Sequence, residues 1–170
     1  KTVGRVKAFY GNFGMFLRAW CYIRALGADG LRGVSENAIL NANYIKSQLK
    51  DVLNIPVDGP HLHEVIFNDK NQKDSGSGWD TTKIAKALID HGMHPPTVHF
   101  PLCVKNALMV EPTETESKDE LDRFILSVKE IISNKDSSVV HPKRAFREKV
   151  DEVKAARELK LTYKFKDDLQ

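Results

Sequence analysis

Cysteine is scarce in this sequence: Cys21 and Cys103 are the only two, far apart and without C-x-x-C pairing. That excludes a disulfide framework or a thiol-based zinc ribbon, and predicts two buried free thiols in a reducing compartment. Charge of one sign is equally lacking. Lys and Arg total 26 against 23 Asp and Glu, and the resulting +3 is spread too evenly to make a nucleic-acid footprint. No run reaches the roughly 18 apolar residues of a membrane span. The nearest, "MFLRAWCYIRALG", is interrupted by Arg18 and Arg24, and no secretory signal is visible. Catalytic signatures are missing too. There is no G-x-S-x-G, nothing pairs either cysteine with a histidine, and "GNFG" and "GADGLRG" fit neither a dinucleotide loop nor a P-loop. No internal repeat is apparent. The opening "KTVGRVKAFYG" lacks a methionine, and the expectation is a piece of a longer polypeptide.

What is present suffices for one ordinary domain: 170 residues, 41% hydrophobic and 29% charged. Residues 13–26 predict a helix, with Asn12 as N-cap and a broad stripe of Phe13, Phe16, Leu17, Trp20, Ile23 and Leu26. A helix so widely apolar needs more than one neighbour, and is expected to dock on something outside this chain. "LGADGLRG" breaks it. A cleaner helix follows through Val34, Ala38, Ala42, Ile45, Leu49 and Val52.

Residues 61–68, "HLHEVIFN", predict a strand, and "DKNQKDSGSG" an exposed loop. Asp80, Thr81 and Thr82 open a short helix that Gly92 ends. "HPPTVHFPLCV" is expected to be extended, because each proline biases its predecessor away from the helical region. "ALMVE" reads as a second strand, and Ser117 with Glu120 as a capping box for a helix through Leu121, Phe124, Ile125, Val128 and Ile131. The tail after Asn134 is polar and basic, with a short helical stretch near 144–157. A short sheet with helices on one side makes the fold class α+β.

Histidine is the most tempting chemistry. His61 and His63 would share a strand face, and His91, His94 and His99 follow, but no cysteine joins them at metal-site spacing and no metal is expected. His63, at a probable strand end before an apolar run, is the exception worth retaining. Asn12 and the "YGNFG" amides suit either an anionic ligand or a plain turn and N-cap. Glu111 closes a buried strand. It either ties down a loop or faces a cleft, and the sequence leaves both open.

These blocks carry a resemblance. "VSENAILNANYIKSQL", "HEVIF", "GMHPPTVHFPL" and "ALMVEPTETESKDELDRF" resemble the C-terminal region of glycine decarboxylase, the P protein of the glycine cleavage system. The flanking "GRVKAFYGNFGMFLRAWCYIRALG" and "KVDEVKAARELKLTYKF" resemble subunit 2 of its split bacterial form. The resemblance implies the small C-terminal domain of the aspartate-aminotransferase-like architecture (fold type I of the pyridoxal-phosphate enzymes). It implies residues 1–30 as a connecting loop and helix, 31–138 as the small domain and 139–170 as a basic tail. It further implies an enzyme that decarboxylates glycine with pyridoxal phosphate, using it as an electron sink, and passes the aminomethyl group to a lipoyl arm. The partners implied are the large N-terminal domain, glycine decarboxylase subunit 1 and the lipoylated H protein, with no nucleic acid or membrane, in a bacterial cytoplasm.

The family anchors its cofactor on a lysine preceded by histidine, a pair this sequence does not contain. The chain alone is therefore expected to hold no cofactor and to carry no catalytic residue. Matched to the family's blocks, Asn12, His63, Glu64, His94 and Thr97 are the candidates for the substrate and cofactor cleft. "ALMVE" also lacks the arginine that many aminotransferases of this fold place on a small-domain strand. A non-catalytic α+β interaction module is the alternative.

Overall fold

A computed structural model describes residues 1–5, 10–134 and 150–162. Asn12 caps helix α1 (Phe13–Leu49), its side chain accepting from Gly14 N–H at 3.2 Å. The expected break within "LGADGLRG" falls at Gly27, where φ 64° and ψ −171° interrupt the helix and divide it into two arms. Only glycine adopts that backbone region freely.

Three antiparallel strands follow: β1 (Val65–Asn68), β2 (Thr97–Val98) and β3 (Ala107–Val110), in the order β1-β3-β2. Val65 pairs with Val110 and Phe67 with Leu108, so these four share one face. They pack with Ile45 and Leu49 of α1, with Ile84 and Leu88 of α3 (Thr81–Asp90), and with Leu121, Ile125 and Val128 of α4 (Lys118–Ser133). The second arm of α1 thus belongs to the core. The first does not: Phe13, Phe16, Trp20 and Ile23 are all more than half exposed.

Several expectations need correction. The strand over 61–68 starts only at Val65, because Asn43 captures the backbone of His61 on both sides, donating to its carbonyl at 2.7 Å and accepting its N–H at 3.4 Å. His61 and His63 therefore precede the strand and share no strand face. The exposed loop over 69–78 contains the short helix α2 (Lys70–Asp74). Gln72 is buried there, donating to Val52 C=O at 2.8 Å. Asp69 is buried as well, accepting from Asn106 at 3.1 Å and pairing with Lys73 at 2.9 Å. Turn-forming composition does not reveal such tertiary capture.

In "HPPTVHFPLCV" only Thr97–Val98 is strand. His99 turns to φ 57°, and its N–H donates to Ala107 C=O at 2.8 Å. Both cysteines are exposed rather than buried, Cys21 on the uncovered arm and Cys103 in the turn between β2 and β3. The Ser117 cap forms, accepting from Glu120 N–H at 3.3 Å, while the Glu120 carboxylate goes to Arg123 at 2.6 Å. In the tail, α5 covers Glu152–Arg157. The remainder of the helix expected near 144, and most of the basic tail, lie outside the described residues. Among the described residues no helix is long and apolar enough to cross a membrane.

Candidate functional site

The register of β1 on β3 builds the site. Val65 pairs with Val110, so Glu64 and Glu111 are the next residues out, facing one another where the ladder ends. Pro112, without an N–H, follows Glu111 and cannot extend the pairing. His63 lies beside them. One ligand-capable atom from each of His63, Glu64 and Glu111 falls within 4.8 Å of the others. Glu64 is partly buried, and His63 and Glu111 are exposed.

Two asparagines on the second arm of α1 hold the loops that carry these groups. Asn41 donates to Thr113 C=O at 2.9 Å, fixing the segment after Glu111. Asn43 holds His61, two residues before His63. Positions two apart on a helix point to different sides, so the arm straps one loop on each flank.

Glu111 also borders a cleft of about 320 Å³, whose lining includes His94, Pro95, Pro96, Glu116, Glu120 and Arg123. The structure thus gathers His63 and Glu64 with Glu111, and sets His94 in the adjoining cleft. It does not bring Asn12 or Thr97 there. Asn12 caps the distant start of α1. Thr97 is exposed on β2, opposite Met109 of β3. Sequence reasoning left Glu111 undecided and missed Arg123. The signal for Glu111 was partial: antiparallel strands, one opening after "HE" and the other closing on "VE", bring those acids together only in the register that sets Val65 against Val110.

A pyridoxal phosphate does not suit these residues. Among the described residues the cleft lining offers no lysine. Its arginine is committed to Glu120, and three carboxylates would oppose a phosphate.

The sequence profile described as "Glycine dehydrogenase, C-terminal domain" matches residues 34–156. The chain is 49% identical over 160 residues to the "Probable glycine dehydrogenase (decarboxylating) subunit 2" of Staphylococcus haemolyticus, covering 92% of this chain and 32% of that protein. It is 46% identical to the Caulobacter vibrioides protein of the same description, covering 95% and 32%. The chain therefore spans about a third of the length of the curated relatives it matches. A crystal structure of glycine decarboxylase (P-protein) of the glycine cleavage system, in inhibitor-bound form, superposes with a TM-score of 0.59 at 21% identity. That match covers 73% of this chain and 27% of the other, and places the small α+β unit within the pyridoxal-phosphate fold type I architecture. With its profile running from the second arm of α1 into α5, this chain belongs to the glycine dehydrogenase C-terminal domain family.

Proposed function

We propose that this chain is the cleft-closing C-terminal domain of a glycine dehydrogenase (decarboxylating) subunit 2. In this reading the whole protein decarboxylates glycine with pyridoxal phosphate and passes the aminomethyl group to the lipoyl arm of the H protein. Its partners are the large N-terminal domain of the same subunit, glycine decarboxylase subunit 1 and the H protein, in a bacterial cytoplasm. Residues 31–138 are the closing domain, and 1–30 lead into it from the large domain.

The observation that carries the reading is the uncovered arm of α1. Phe16 and Trp20 stand 57% and 60% exposed beside a domain whose own core is complete without them. A row of large apolar side chains in water marks a surface that another body covers, and relatives three times as long supply one.

The work assigned to this chain is binding and exclusion of water. His94 in the cleft, and His63 and Glu64 beside Glu111 at its border, form the surface that closes toward the large domain. Thr97 flanks that wall on the edge strand, and Asn12 fixes the start of the connecting helix. The cofactor is held by the large domain, since the sequence has no histidine-lysine pair and, among the described residues, the cleft has no free cation to hold it.

The test is to join the upstream two-thirds of a subunit 2 relative to this chain, with subunit 1 and lipoylated H protein present. Cofactor absorbance of the Schiff-base type and release of carbon dioxide from carboxyl-labelled glycine are expected from the joined protein, and neither from the chain alone. Stoichiometric cofactor uptake and decarboxylation by the chain alone would refute the reading. A joined protein that stays blank would favour an interaction module without catalysis.

A further inference from the structure

We infer that His63, Glu64 and Glu111 form a binding site for one divalent metal ion of the zinc–manganese class. Two observations of different kinds meet here. The first is the donor set, one imidazole and two carboxylates with ligand-capable atoms all within 4.8 Å. Small rotations of the exposed side chains bring such donors onto an ion at bond lengths of about 2.0–2.2 Å. The mix of one nitrogen and several hard oxygens suits zinc or manganese better than magnesium, calcium or a thiophilic ion.

The second observation is a charge left unbalanced by the fold. The ladder ends with Val65 opposite Val110, which leaves Glu64 and Glu111 as the next residue along each strand, with carboxylate oxygens within 4.8 Å of one another, and like charges that close repel. Some other carboxylates of the chain have a basic partner: Asp69 has Lys73, Glu120 has Arg123, and Asp122 has Lys118. Among the described residues no lysine or arginine forms an ion pair with Glu64 or Glu111. An external cation offsets that repulsion and ties the start of β1 to the end of β3. Glu111 also borders the cleft, so the site adjoins it.

The inference does not depend on the proposed function, and its test uses this chain alone. Isothermal titration of the full 170-residue chain with Zn²⁺ is expected to give one saturable site, and Co²⁺ to develop visible absorption bands. Glu111→Gln and His63→Asn should each weaken binding by about tenfold or more, while His94→Asn, in the cleft but outside the triad, should leave it unchanged. Far-UV circular dichroism checks that the variants keep their fold, which exposed positions favour. Three results would overturn the inference: no saturable uptake, binding unaltered in Glu111→Gln, or binding that follows His94 instead.

Discussion

Tyr44, Lys118 and Asp122 join α1 to α4 at one point. The Tyr44 hydroxyl donates to Asp122 at 2.5 Å, Lys118 pairs with the same carboxylate at 2.5 Å, and its ammonium lies 5.4 Å from the centre of the Tyr44 ring. Hydrogen bonds from Lys118 and then from Tyr44 hold the Asp122 carboxyl below its ordinary range. The bond to Asp122 holds the Lys118 ammonium above its own. A carboxylate depressed in the folded state contributes stability that is present above its unfolded pKa and lost as pH falls through its folded one. The lysine's contribution is complete below its unfolded pKa and lost as pH rises through the raised value. Asp122→Asn should therefore lower the urea midpoint at neutral pH, and the gap from the parent should close on acidification below the ordinary carboxylate range. A gap that is constant with pH would show that the carboxylate's charge is irrelevant. In the core, Phe67 is fully buried, and Phe67→Ala should cost about 3–5 kcal/mol by urea unfolding. Leu108→Arg would report on folding and not on the arginine that "ALMVE" lacks, because Leu108 is 1% exposed within the same core.

Elements were legible wherever a local rule sufficed. Ser117 and Asp80 both cap as their positions suggest, accepting from Glu120 and Lys83 N–H respectively. Ser117→Ala should accordingly destabilise the domain by about 1 kcal/mol, read as a lower melting temperature. Gly27 was legible as part of a break, though not as the break itself. Gly27→Ala places a side chain in a conformation costing about 1–3 kcal/mol. The expected outcome is a straightened or loosened first arm beside an intact core, measured as faster proteolysis within 13–26 while the core's unfolding midpoint holds. Equal protection of the arm in parent and variant would argue against strain at Gly27. What escaped the sequence was decided by distant partners. Asn43 shortens β1 by holding His61, Val52 buries Gln72 in a segment composed like a loop, and Asn106 satisfies Asp69 across 37 positions. The same holds at the site. His63, Glu64 and His94 were nominated from the chain, but Glu111 joined them only through strand register.

For the whole molecule, the exposed arm makes a prediction that separates folding from assembly. Trp20→Glu alters a side chain that is 60% exposed and outside the core. Its effect on the stability of this chain should stay within about 0.5 kcal/mol. The same change should abolish association with a separately produced upstream portion, read by size exclusion with light scattering. If association survives Trp20→Glu and a companion Phe16→Asp, some other surface makes the joint.

Asn41 and Asn43 give this arrangement a mechanical meaning. One rod is tethered to both of the loops that flank the acidic pair, so a tilt of the rod carries the two loops together instead of prying them apart. Whatever swings the domain, the spacing of His63, Glu64 and Glu111 travels with it, like type locked in a forme.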